Sequence, residues 1–244
     1  MAVLTCIEGN NSDLVEQVVE LYNAKPSWAK RTGDIVWQSL VADVTYGKGN
    51  FWNWPWHPWL ILLASDIEPS MPNVRKEDFT HLSYPDNYVD MLFLDPPYSH
   101  HAPHYNDNLY KNILRYEQSN KEYTVNNLYR DGMIEASRVV KHNGLICVKC
   151  MDQISGGINR FDHITIYMYA MMMNMIAEDL FILKNPNHPM MRHDHQFHAR
   201  KNHSYMWVFR NKKTNDNPRV TQEWIDKGNT VSNKLREDII NQFR

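Results

Sequence analysis

Apolar and polar positions alternate along this chain in two recognisable periods. Over residues 12–24, Leu14, Val15, Val18 and Leu21 recur at helical spacing, with Ser12 or Asp13 placed to cap the start and Pro26 to stop it. Short apolar runs follow, each ending in an acid. Ser39–Ala42 closes an apolar stretch that begins at Ile35 and leads into Asp43. Leu60–Ser65 leads into Asp66, and Val89–Leu94 leads into Asp95. Such runs read as buried strands. Thr124 starts a predicted helix that reaches about Lys141, with Leu128, Met133, Ala136 and Val140 facing a core. Gly144 ends it, and Leu145–Lys149 is a further strand. The spacing then predicts a helix over 162–178, a short strand at Asp179–Leu183, a polar loop over 185–202, a strand at Ser204–Phe209 and a terminal helix over 221–243.

Strands alternating with helices predict an α/β fold: a Rossmann-like, mostly parallel central sheet of about seven strands with helices on both faces. Ligands in such sheets bind outside the carboxyl ends of the strands. The placement of Asp43, Asp66 and Asp95 just past those ends is therefore the pattern that points to a site.

Composition narrows the picture. The chain has 244 residues and is 43% hydrophobic, enough for one domain with a sizeable core. One domain over 1–244 is the expectation: an N-terminal helical segment (1–34), a catalytic core (35–210) and the C-terminal helix (221–243). Net charge is −2, so a nucleic-acid partner would need a local basic patch. Residues 192–219 supply one, with Arg192, Arg200, Lys201, Arg210, Lys212, Lys213 and Arg219 against Asp194 and Asp216. The three cysteines and the absence of a signal-like start predict a reducing, cytoplasmic setting, and no apolar run is long enough to predict a membrane span. His188, His193, His195, His198 and His203 invite a metal, but no ligand-spaced partner accompanies them. Cys147 and Cys150 on a strand would point to opposite faces, so no metal is expected.

Two segments carry chemistry. In Asp43-Val-Thr-Tyr-Gly47-Lys-Gly49-Asn-Phe51 the glycines allow close backbone approach to a ligand. The acid suits an amino or ammonium group better than a phosphate, and Asp66 on the next strand can accept ribose hydroxyls. The second segment is Asp95-Pro96-Pro97-Tyr98, a fixed tetrapeptide that chance places in roughly one chain of this length in a thousand. Two prolines freeze the loop, leaving the Asp95 carboxylate and the Pro96 carbonyl as fixed acceptors. An exocyclic amino group offers two N–H donors to match, and Tyr98 offers a face on which a flipped base can stack. The Trp52–Trp59 stretch, broken by two prolines, is expected to pack as wall and core.

These motifs resemble those of the class I S-adenosylmethionine-dependent amino-methyltransferases, most closely the N6-adenine DNA methyltransferases, over about residues 35–210. Asp95–Tyr98 matches the family's catalytic tetrad and Asp43–Gly49 its cofactor turn. Asp66 matches the ribose-binding acid, Asp78-Phe79 the acid and apolar neighbour that flank the cofactor adenine, and His203–Arg210 a late strand. The resemblance implies S-adenosyl-L-methionine as cofactor, held by Asp43, Thr45, Gly47, Gly49, Asn50, Phe51, Asp66, Ile67, Asp78 and Phe79. It implies catalysis at Asp95, Pro96, Pro97 and Tyr98 on adenine N6 of DNA. Guanine-N2 or adenine-N6 of RNA, and a catalytically silent nucleic-acid-binding relative, are the alternatives. His100 and His101 after the tetrad, with Arg192, Arg200 and Lys201 in and around the candidate target-recognition loop 185–203, are the expected nucleic-acid contacts. Restriction–modification, protection of a viral genome and housekeeping all fit such an enzyme. The chain departs from the family where the Trp/Pro-rich stretch replaces the helix expected after Gly49.

Overall fold

The computed structural model describes residues 3–22, 38–55, 57–97, 125–155, 157–186 and 198–213. By backbone contacts the chain divides into Met1–Lys212 and Lys213–Arg244. Apart from Lys213, the described residues all belong to the first unit.

Among the described residues, ten strands and three helices run in the order β1 (Cys6–Glu8), α1 (Asn11–Tyr22), β2 (Ser39–Asp43), β3 (Leu60–Asp66), β4 (Arg75–Lys76), β5 (Val89–Leu94), α2 (Val125–Val139), β6 (Val140–Cys150), β7 (Gln153–Ser155), β8 (Ile158–Arg160), α3 (Asp162–Met172), β9 (Ile176–Lys184) and β10 (His203–Arg210). Eight strands form one sheet, ordered β1-β9-β10-β6-β5-β2-β3-β4, and β7-β8 is a separate hairpin. Within the sheet β6, β5, β2, β3 and β4 are parallel, β1 is parallel to β9, and β10 runs antiparallel to both β6 and β9. The fold is therefore a mostly parallel sheet with helices, eight-stranded where the sequence predicts about seven. The extra membership comes from the edges: three-residue β1 and two-residue β4 are too short to show a period.

Burial explains the central strands. Val41, Ala42, Met91, Leu92, Phe93, Leu94, Ile146, Cys147 and Val148 are all buried. Continuous apolar runs of this kind suit strands covered on both faces.

The helices correct the sequence reading in detail. The α1 cap is Asn10, whose Oδ1 accepts the N–H groups of Ser12 (2.8 Å) and Asp13 (3.2 Å). Asp13 in return accepts the Asn10 N–H (2.8 Å), a reciprocal capping box. Val19 is buried in this helix, whereas Leu21 is 41% exposed. Helix α2 stops at Val139 and β6 begins at once, Val89 pairing with Val140 before a register shift lets Met91 pair with Leu145. Gly144 sits in that shift, where a Cβ would lie 2.8 Å from the Asp90 carbonyl. Helix α3 ends at Met172, short of the predicted 178. Asn174 adopts the left-handed conformation (φ 56) and turns the chain into β9, which starts at Ile176. The predicted helix over 221–243 lies outside the described residues.

Candidate active site at the carboxyl edge of the sheet

The sheet grows in opposite directions from the β2–β5 pair: β3 and β4 lie beyond β2, while β6 lies beyond β5. This is the topological switch point at which open α/β sheets bind ligands. Pairing of Asp43 with Phe93, and of Leu94 with Val148, sets Asp43, Asp95 and Lys149 at the carboxyl ends of three adjacent strands. Asp66 ends the next strand over.

Asp43 is 1% exposed, and the chain itself uses both its oxygens. Oδ1 accepts the Thr45 N–H (3.1 Å), and Oδ2 accepts Trp52 Nε1–H (2.7 Å). Desolvation pushes the carboxyl up to about 7, with the neighbouring charges of Asp95 and Asp66 adding to the rise and the Trp52 and Thr45 hydrogen bonds opposing it. Gly47 (φ 56) and Gly49 (φ 74) carry the chain through the turn in conformations that favour glycine. The Gly47 N–H reaches Asp66 Oδ2 (2.8 Å), and Asp66 Oδ1 accepts the Glu68 N–H (2.8 Å). Burial raises the Asp66 carboxyl too, although it is only half-buried. Thr45 Oγ1 accepts the Asp95 N–H (2.8 Å) and so ties the glycine turn to the proline loop.

Asp95 differs from its neighbours. Its Oδ2 faces Lys149 Nζ at 3.6 Å, an ion pair longer than a hydrogen bond, and the Lys149 side chain is 3% exposed. Its Oδ1 is closed to solvent and has no hydrogen-bond partner among the described residues. Such an atom forfeits about 1–3 kcal/mol until a donor reaches it. Burial raises the carboxyl and Lys149 pulls it back down. Pro96 is buried and Pro97 half-buried; Tyr98, His100, His101 and Arg192 lie outside the described residues.

The remaining predicted cofactor residues divide in two. Asn50 is exposed and Ile67 half-buried beside the glycine turn and Asp66. Phe51 is buried and meets Phe93 edge-on, with ring centroids 6.2 Å apart. Phe79 is also buried, its ring over Gly132 of α2, where a Cβ would meet it at 2.9 Å. Asp78 caps its own turn, accepting the Thr80 N–H (2.8 Å) and hydroxyl (2.7 Å). No helix follows Gly49 among the described residues before β3. Trp52, Trp54 and Trp59 pack against the core instead, with His57 stacked on Trp59.

Because β10 is antiparallel, its start and the preceding Arg200 and Lys201 lie at the same edge of the sheet as the strand-end acids. Lys201 Nζ stands 5.6 Å from the Phe161 ring centroid. Among the described residues no three His, Cys, Asp or Glu side chains converge as a metal-holding group, and no helix is long and apolar enough to cross a membrane.

Sequence reasoning misses two residues at this edge. It assigns Trp52 only to packing, yet the indole N–H holds Asp43. It reads Lys149 as one residue of a strand. The sequence shows a single lysine in Leu145–Cys150, but only the register puts it beside the tetrad acid.

Neither a known protein family nor any curated protein matches the sequence. Solved structures do resemble the fold. A putative DNA modification methylase from Thermus thermophilus aligns with TM-score 0.36 and 16% identity, over 58% of this chain and 51% of that one. The PvuII cytosine-N4-specific DNA methyltransferase gives TM-score 0.39 and 12% identity, over 53% and 45%. The N-methyltransferase NodS from Bradyrhizobium japonicum gives TM-score 0.45 and 11% identity, over 82% and 96%. This chain thus matches about half the length of the two DNA methylases it resembles.

Proposed function

We propose that this chain is an S-adenosylmethionine-dependent methyltransferase acting on an exocyclic amino group of a nucleic-acid base, specifically N6 of adenine in DNA. The observation that carries the reading is Asp95 Oδ1: a buried acceptor without a donor among the described residues, in a loop fixed by two prolines at the switch point of a parallel sheet. An amino N–H supplies the missing donor, and the Pro96 carbonyl takes the second hydrogen. With both hydrogens held, the nitrogen lone pair faces the methyl group. With the cofactor bound, nitrogen would gain the methyl carbon as the carbon–sulfur bond breaks and its electron pair stays on sulfur, and the nitrogen's proton would pass to water after the transfer, so no strong base is required. Orientation and charge placement carry the rate. Tyr98 stacks the base.

The edge of the sheet suits the cofactor, which when bound supplies an electrophilic methyl group on a sulfonium. Asp66 is half-buried, and each of its oxygens has a lone pair left for a ribose hydroxyl beyond the backbone N–H it already accepts. Gly47 and Gly49 permit close approach. Asp43, buried and satisfied by Trp52 and Thr45, serves by shaping the turn. Arg200, Lys201 and the His100–His101 segment contact the polymer, with phosphate contacts making binding salt-dependent.

The test is transfer of a labelled methyl group from the cofactor to DNA and to RNA, followed by nucleoside mass spectrometry. N6-methyl-2′-deoxyadenosine from DNA is the expected product. Label in RNA alone, or on cytosine N4, overturns the choice of substrate.

A further inference from the structure

The mechanism above leaves unused a buried ionisable group beside Asp95 itself. Lys149 extends from the end of β6 to within 3.6 Å of Asp95 Oδ2, and its side chain is 3% exposed. Burying an ammonium is costly, and positions that do so pair it or use it. Acids dominate the surroundings of Asp95: Asp43 from β2 and Asp66 from β3 stand at the adjoining strand ends, and the buried Cys150 thiol follows Lys149 on β6. From α2, the Tyr129 hydroxyl donates to the Lys149 carbonyl (3.1 Å). Thr45 adds a hydroxyl bound to the Asp95 N–H. Lys149 is the buried cation that the described residues bring to this acidic edge, where the half-buried Arg200 and Lys201 also lie.

A carboxyl in that setting has two ways to exist. Protonated, it puts a hydrogen on one oxygen and weakens as an acceptor. Ionised, it keeps Oδ1 as a full acceptor aimed at an incoming N–H. We propose that Lys149 is a positioning residue whose buried ammonium holds Asp95 in the ionised form, so that Oδ1 is ready to accept the amino group of the target base. The assignment of that ligand rests on the methyltransferase reading; the pairing of Lys149 with Asp95 does not.

Two readouts separate the two claims. The first is infrared difference spectroscopy of the protonated-carboxyl stretch across a pH titration, with the Asp95 band identified by its loss in Asp95→Asn. Lys149→Met is expected to move the Asp95 midpoint upward by about 1–3 pH units, the range for losing an adjacent opposite charge. The second is the single-turnover rate of methyl transfer against pH. Its acid limb is expected to move upward with the midpoint, and the rate to recover at high pH. Lys149→Arg restores both, and keeps the test available should the methionine variant fold poorly. A general packing defect would lower the rate at every pH and leave the midpoint in place. An unmoved Asp95 midpoint in Lys149→Met overturns the proposal, as does an unmoved acid limb in an active variant. A shifted midpoint in a protein that methylates neither DNA nor RNA keeps the pairing and removes the methyltransferase reading.

Discussion

The loops that follow β2 and β5 lie side by side, each opening on an aspartate, Asp43 buried and Asp95 half-buried, and the chain treats the two acids differently. Asp43 commits both oxygens to its own turn, one to the Thr45 N–H and one to the Trp52 indole. Asp95 commits neither to a hydrogen bond of that kind. One oxygen faces the Lys149 ammonium at 3.6 Å and the other has no partner among the described residues. A buried acceptor left open costs stability, so a fold retains one where something outside the chain is to fill it. On the proposed reading Asp43 is scaffold and Asp95 is reserved for the ligand. The two acids should therefore fail in different assays when removed.

The largest expected effect is on turnover. Asp95→Ala should lower the rate of methyl transfer by at least about 10²-fold, the scale of losing one fixed group that orients or stabilises the reacting centre. Cofactor binding, measured with labelled S-adenosylmethionine, should persist, because the acid proposed to hold its ribose is Asp66. Undiminished turnover in Asp95→Ala would remove the distinction between the two loops.

Much of this edge is legible in the sequence because apolar runs and terminal acids coincide. Strands β2, β3 and β5 lie within a residue of where the pattern puts them, since each is a short apolar run stopped by Asp or by Asp-Pro. Illegible features are those that depend on partners distant in sequence or on a single backbone angle. The role of Lys149 is set by its register against β5, which the pattern of β6 alone does not contain. The Met-rich run that extends the predicted third helix to 178 keeps its apolar character past Met172, and only the φ of Asn174 ends the helix. Phe79 reads from the sequence as a cofactor neighbour, while its burial over Gly132 depends on where α2 packs.

A smaller effect, on stability, should mark Asp43. Its carboxyl is raised from 3.8 to about 7 in the fold, chiefly by desolvation. Between those values the folded chain holds a proton that the unfolded chain has released. This contribution is full below the ordinary carboxyl value and is lost as pH rises towards 7. A rise of one pH unit in a titration midpoint corresponds to about 1.4 kcal/mol. Thermal denaturation at about pH 4 to 8, the window that brackets this titration, should show wild-type stability declining with pH, and Asp43→Asn should flatten the decline. Asp66 and Asp95 are raised in the same direction, so some slope should remain. An identical slope in wild type and variant would show that Asp43 titrates alike in both states, against the burial that makes it scaffold.

The smallest expected effect tests whether the Asp43 turn depends on its own backbone. Gly49 and Gly157 both have positive φ, 74 and 76. Alanine at either position incurs the left-handed penalty of about 1–2 kcal/mol. Beyond that they differ. A Cβ at Gly157, in the β7–β8 hairpin, meets nothing within 4 Å, whereas at Gly49 it would lie 2.7 Å from the Tyr46 hydroxyl. Tyr46 is held through its backbone N–H to the Ser65 carbonyl (3.1 Å), so its ring end must swing aside to admit the methyl. Gly157→Ala therefore measures backbone strain alone, and Gly49→Ala measures the same strain plus displacement of the ring. The expected order in denaturant unfolding is wild type, then Gly157→Ala, then Gly49→Ala. Cofactor affinity should fall only in Gly49→Ala, because only that turn adjoins Asp66. Equal stability losses with unchanged affinity in both would mean that Tyr46 moves freely and that the turn owes its shape to the Asp43 hydrogen bonds alone.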